Sequence, residues 1–138
     1  FDETIDITIA FDMSGSIGQQ PANEMISETI SIMDQYTNFN VTCLCFDTQV
    51  YNVQTFAEHN REEFRDYEVI GGGGTDFDCV YNYLKEEGIQ PKKLVLFTDG
   101  FPWDSWGDPT YTDTLFIIHG SEAGKHPVAP FGITVPYE

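Results

Sequence analysis

Residues 4–18 read TIDITIAFDMSGSIG, and this stretch decides the fold. Over residues 4–11 apolar and polar side chains alternate, the period-two pattern of a half-buried strand. The alternation stops at Asp12 and gives way to a loop, Asp12-Met13-Ser14-Gly15-Ser16-Ile17-Gly18, in which oxygen-bearing side chains recur at two-residue spacing. Pro21 then stands where a helix begins, and Met25, Ile26, Thr29, Ile30, Met33 and Tyr36 recur at three- and four-residue intervals up to Thr37. That recurrence predicts an amphipathic helix. Strand, oxygen-rich loop and helix, in that order, open an α/β fold.

The rest of the chain continues the alternation. Residues 41–46 predict an apolar strand, Asp47-Thr48 a turn, and residues 49–56 a second strand that returns antiparallel. A short helix is expected around residues 62–67. Gly71 to Gly74 form a turn, followed by Thr75-Asp76 and a helix whose Phe77, Val80, Tyr81 and Leu84 share one face and which Gly88 closes. Residues 94–97 are wholly apolar, as in a central strand covered on both faces, and end at Thr98-Asp99-Gly100. Residues 115–118 form another such run, ending at His119. Residues 101–113 between them, rich in aromatics, Gly and Pro, read as a shaped surface loop. The tail has room for one edge strand at residues 133–135.

This order predicts a doubly wound, mostly parallel sheet flanked by helices, with one antiparallel edge strand. No internal repeat or low-complexity linker divides it, so a single domain is expected over residues 1–138. The chain has no initiator Met and enters a strand pattern at once, and we expect it to be part of a longer protein.

With 41% apolar residues in 138, the chain can bury a core, yet no apolar run reaches the roughly 18 residues that cross a bilayer. The balance of 23 Asp and Glu against 6 Lys and Arg gives a formal charge of −17, with no Lys or Arg in residues 1–60. Nucleic acid is thereby excluded as an expected partner: Arg61, Arg65, Lys85, Lys92, Lys93 and Lys125 are too dispersed to form a basic stripe. Anionic membranes would be repelled as well. A bound cation, by contrast, would relieve self-repulsion. The three cysteines, Cys43, Cys45 and Cys79, form no disulfide framework and suit a reducing compartment, with a cytoplasmic location expected. Cys43 and Cys45 lie two apart in a strand and should point into one packed layer.

In an open α/β sheet, ligands bind beyond the carboxyl ends of the strands, where the winding reverses. Asp12 and Asp99 follow predicted strands, Thr75 opens the loop before a helix, and all three should meet on that rim. Ser14 and Ser16 continue from Asp12. Five hard oxygen donors without His or Cys point to a metal site for Mg²⁺ or Mn²⁺ ahead of Zn²⁺, with Ca²⁺ ranked behind both. Each piece alone could be a turn or a helix cap; their joint placement at strand ends favours the metal. Asp76 reads as a cap and His119 as a structural residue. The Gly71 to Gly74 run lacks the Lys of a phosphate loop.

Asp12-Met13-Ser14-Gly15-Ser16, Thr75 and Thr98-Asp99-Gly100 together resemble the three parts of the metal-ion-dependent adhesion site of von Willebrand factor A (VWA) domains. The resemblance implies that Ser14 and Ser16 bind the cation directly, that Thr75 is a switchable ligand, and that Asp12 and Asp99 act mainly through water. More narrowly, residues 71–77 (GGGGTDF), Phe46-Asp47-Thr48, the aromatic loop and Pro130-Phe131-Gly132 are similar to bacterial and phage VWA-like domains that accompany a metallopeptidase domain. The likeness spans nearly the whole chain. It departs in its shortness and in lacking an obvious final helix, which in integrin-type members couples metal state to conformation.

The function this implies is cation-dependent protein binding, in adhesion or recruitment, with a partner's Asp or Glu carboxylate completing the metal site. Phe101, Trp103, Trp106 and Tyr111 are either rim contacts for that partner or packing within their own loop. One alternative is a Mg²⁺-dependent hydrolase of phosphate esters, which would want a cationic side chain at the site. Lys92 and Lys93 precede their strand and should lie at the far end of the sheet, leaving only Lys125. Another is a regulatory domain of a metallopeptidase or AAA+ ATPase-linked complex, fused or associated.

Overall fold

The computed structural model describes residues 4–13, 19–36, 38–119 and 127–136. The alternating opening run forms β1 (Thr4–Asp12), and the stripe after it forms α1 (Gln19–Asp34). Next come β2 (Asn38–Phe46) and β3 (Val50–Phe56), then a 3₁₀ segment (Glu58–Asp66). The glycine run leads into α2 (Asp78–Glu86), and β4 (Lys93–Thr98), β5 (Asp113–Ile118) and β6 (Ile133–Pro136) complete the described elements. Among the described residues no helix is long and apolar enough to cross a membrane.

The six strands form one sheet in the order β3-β2-β1-β4-β5-β6. Every neighbouring pair is parallel except β2–β3, the antiparallel hairpin at one edge. From β1 the chain winds outward to β2 and β3, and it then returns to the other side of β1 to lay down β4, β5 and β6. The winding therefore reverses between β1 and β4, and that pair opens the crevice where such sheets take ligands.

Strand alternation sorts the core into two layers. Ile9, Phe11, Val41, Cys43, Cys45, Val95, Phe97 and Ile117 face Met25 and Met33 of α1 and Phe64 and Tyr67 of the 3₁₀ region. Ala10, Leu44, Phe46, Leu94, Leu96, Phe116 and Ile118 face Val80, Tyr81 and Leu84 of α2. The cysteine pair is thus buried packing, as its spacing implied, and all three cysteines are free thiols. On α1 the buried line is Ala22, Met25, Thr29 and Met33, while Ile30 is exposed and Tyr36, also exposed, lies beyond the helix, which ends at Asp34. The stripe is narrower than the sequence suggests because a 3.6-residue repeat aligns only positions 22, 25, 29 and 33 toward the sheet. Thr29 is accommodated in that apolar line by donating its hydroxyl to the Met25 carbonyl at 2.9 Å.

The connection between β4 and β5, residues 99–112, carries no helix. Parallel strands usually need one there to cover the sheet. Here Trp106 takes that place, packing edge-on against Phe77 and Phe116 with ring centres 5.5 and 5.3 Å away. The loop is also tied to α2: Ser105 donates to Asp78 at 2.8 Å, and Lys85 pairs with Asp108 at 2.7 Å.

Candidate metal centre

Asp12 is the last residue of β1 and is fully buried between β2 and β4. A carboxylate in that position has to be held by hydrogen bonds or a counter-ion, because stripping its hydration costs several kcal/mol. The hydroxyl of Thr98, at the end of β4, donates to Asp12 Oδ2 at 2.6 Å. That same Thr98 oxygen accepts the N–H of Gly100 at 3.0 Å, so the turn after β4 is built onto the Asp12 carboxylate. Asp99, one residue on, is turned toward the partly open rim, and its Oδ1 accepts the N–H of Phe101 at 3.4 Å. The two aspartates thus terminate the two strands that flank the switch point.

Thr75 reaches this rim from the other side of the chain and is 7% exposed. Its carbonyl accepts the N–H of Trp103 at 3.0 Å, and the next residue, Asp76, donates its N–H to the Asp47 carbonyl at 2.9 Å. At its first and last glycines the loop before it passes so close to its neighbours that a side chain would collide. A Cβ on Gly71 would lie 2.5 Å from that of Met13, and one on Gly74 would lie 2.0 Å from the Trp103 ring. The glycine run is therefore a close-packed saddle between the β1 loop and the β4 loop, which carries Thr75 to the same place as Asp12 and Asp99.

The field at this rim is negative. Burial, and then the carboxylates of Asp76, Asp47, Asp78 and Asp12, push the Cys79 thiol up to about 12. Of the five residues expected to hold a cation, Asp12, Thr75 and Asp99 are brought to one rim; Ser14 and Ser16 lie outside the described residues. Among the described residues, no three His, Cys, Asp or Glu side chains are grouped to hold a metal ion. A cation here would need the hydroxyls as well as the two aspartates. What is described fits that need: the donors are hard oxygens throughout, as Mg²⁺ or Mn²⁺ prefers.

Other expectations resolve individually. Asp76, read as a cap, stands one residue before the N-cap Phe77 and accepts the N–H of Asp78, the first residue of α2, at 3.0 Å. His119 is 2% exposed, sits 5.6 Å from the Phe97 ring and places Nδ1 3.3 Å from Glu24. Burial lowers its pKa against the opposing pull of Glu24 and Glu28. The four loop aromatics divide: Trp106 and Tyr111 pack into the core layer over α2, whereas Phe101 and Trp103 are 67% and 64% exposed beside Asp99 and Thr75. Lys92 and Lys93 do lie at the opposite end of the strands, where β4 begins and the Lys92 N–H bonds the Asp6 carbonyl. Asp47, read from sequence as part of a turn and of a segment that carries the family resemblance but not as a site residue, is buried at the end of β2. Its signal was available in its place directly after the apolar strand end Leu44-Cys45-Phe46.

Fold and rim together define the class, a doubly wound α/β domain with acids and hydroxyls gathered at its switch point. Residues 7–136 match the family described as VWA-like domain (DUF2201), and the chain belongs to that family. A relative in Thermotoga maritima, an uncharacterized protein, is 29% identical over 94 residues, which is 68% of this chain. The chain spans 22% of that relative's length. Among solved structures, the conserved hypothetical protein BatB from Bacteroides thetaiotaomicron superposes with a TM-score of 0.64 at 16% identity, over 84% of this chain and 67% of BatB. The ArnB paralog VWA2 from Sulfolobus acidocaldarius gives 0.60 at 14%, over 88% of this chain and 37% of that one. Proximal thread matrix protein 1 from the mussel byssus gives 0.63 at 17%, over 87% and 37%. At these identities the likeness is one of fold.

Proposed function

We propose that the domain binds one divalent cation, Mg²⁺ foremost, through Asp12, Ser14, Ser16, Thr75 and Asp99, and uses it to accept a carboxylate from a protein partner. VWA-like domains generally serve protein interaction, and the cation is what would let an acidic surface do so. Without it, an incoming Asp or Glu would meet Asp12 and Asp99 and be repelled. With it, neutral hydroxyls leave the metal electrophilic, and the exposed Phe101 and Trp103 offer apolar contact beside the carboxylate. The companion proposed from the resemblance, a metallopeptidase or an ATPase, is one such partner.

The observation that carries this reading is the convergence at the switch point. Asp12 is joined to the β4 turn through Thr98, and Thr75 is tied to that turn through Trp103. Calorimetric titration of Mg²⁺ into the wild type is expected to show one site, lost in Ser14→Ala/Ser16→Ala. At 100 times the Kd, and at matched ionic strength, the cation should stabilise the fold by about 2.7 kcal/mol. An unchanged isotherm in the double variant rejects the site. Three of the described lysines offer no support for phosphate-ester hydrolysis, since Lys85 is engaged with Asp108 and Lys92 and Lys93 stand at the start of β4, the end of the strand away from Asp99. Mg²⁺-dependent phosphatase turnover abolished by Asp12→Ala would nevertheless replace the binding role.

A further inference from the structure

Asp47 follows β2 directly and is 5% exposed. Its carboxylate is occupied by main-chain donors from two distant stretches. Oδ1 accepts the N–H groups of Thr48 and Gln49, at 2.5 and 3.1 Å, which is all that a tight turn between β2 and β3 requires. Oδ2 does something a turn has no use for: it accepts the N–H of Gly73 at 3.0 Å, across 26 residues. The carbonyl of Asp47 then accepts the N–H of Asp76 at 2.9 Å. One residue therefore grips the chain two positions before Thr75 and one position after it.

We infer that Asp47 is the positioning residue of the cation site, holding Thr75 where its hydroxyl can serve as a ligand. This rests on the cation-binding reading above. The four glycines before Thr75 have more backbone freedom than any other residue type, so a carboxylate bonded into the run adds to the Met13 and Trp103 contacts in limiting where Thr75 can stand. Bonds from N–H groups to a carboxylate are stronger than bonds between neutral partners, and this anchor spans the segment on both sides. Outer partners of metal ligands commonly contribute about ten- to a hundred-fold in affinity through orientation alone.

Asp47 is also an anion near a cation site, so loss of charge must be separated from loss of position. A double-mutant cycle does this. Mg²⁺ is titrated calorimetrically into wild type, Asp47→Asn, Thr75→Val and the combination, with folding checked by circular dichroism and thermal melts. Asp47→Asn is expected to raise the Kd about tenfold in the wild-type background. With Thr75 already removed, the same change should cost less than about threefold, because only the charge effect remains.

A folded Asp47→Asn protein whose Kd stays within about twofold of wild type, or equal losses in both backgrounds, overturns the inference. If Asp47→Asn does not fold, or Thr75→Val binds too weakly to measure, Gly73→Ala decides. It changes no charge, and its Cβ would lie 3.0 Å from Asp47 Oδ2, so the carboxylate must give way by a few tenths of an ångström just where it accepts the Gly73 N–H. A several-fold rise in Kd supports the positioning role, and an unchanged Kd in the folded variant rejects it. Absence of Mg²⁺ binding in the wild type is a separate result, which removes the cation site itself and this role with it.

Discussion

Two opposing effects set the acidity of Asp47. Burial pushes its carboxyl up, while the N–H groups of Gly73, Gln49 and Thr48 and the Tyr51 hydroxyl pull it down, and together they hold it below the ordinary value. A carboxyl depressed in the folded state stabilises the fold at pH values above its unfolded pKa, about 3.9, and that contribution is lost as pH falls through the folded value. In metal-free buffer the melting temperature of wild type should therefore exceed that of Asp47→Asn by most near pH 7. The gap should close below about pH 4, as the wild-type side chain protonates. A gap that persists unchanged to pH 2 would mean that the carboxylate charge contributes nothing to the fold. The sequence showed Asp47 as an acid after an apolar strand, but not its second partner. Gly73 lies 26 residues away, and nothing local to either residue encodes their meeting.

At the scale of elements, the loop between β4 and β5 substitutes for a crossover helix by means of one large side chain. Trp106 fills the space over Phe77 and Phe116, whereas Trp103, three residues earlier, lays its ring over Gly74 and leaves most of its surface in water. Trp106→Ala should cost about 2–3 kcal/mol in urea denaturation, below the range for a fully buried aromatic because the ring is only partly buried. Trp103→Ala should cost under about 1 kcal/mol, because little buried apolar surface is lost. Similar costs for the two would show that the loop does not act as a core element. Both residues were candidates for rim contacts on sequence grounds, and composition could not divide them. What divided them is which one the sheet needs to exclude water from Phe116.

The whole molecule carries −17 formal charge, with 23 Asp and Glu against 6 Lys and Arg. Repulsion among exposed carboxylates opposes the compact state and is screened over about 8 Å at physiological salt. Raising NaCl from about 10 mM to about 0.5 M should therefore raise the melting temperature, by roughly 3 °C if screening contributes about 1 kcal/mol. A melting temperature that falls with salt would indicate that the few ion pairs outweigh the repulsion. The same excess of acid gives a bound cation its effect: at constant ionic strength Mg²⁺ should stabilise further, by occupancy and not by screening.

Much of this architecture lies in local pattern. The period-two run became β1, the apolar runs became β2, β4 and β5, and the breaks after them placed Asp12 and Asp99 at strand ends. The sequence by itself determined which oxygen donors stand at which boundaries, because hydrophobic periodicity and its interruptions are written residue by residue. Only the tertiary structure decided that β1 and β4 lie side by side, that Thr98 reaches the Asp12 carboxylate, and that Asp47 and Trp103 clamp the two sides of Thr75. Those contacts join residues tens of positions apart, and they form because burying both faces of one sheet leaves the chain a single way to bring its loops together.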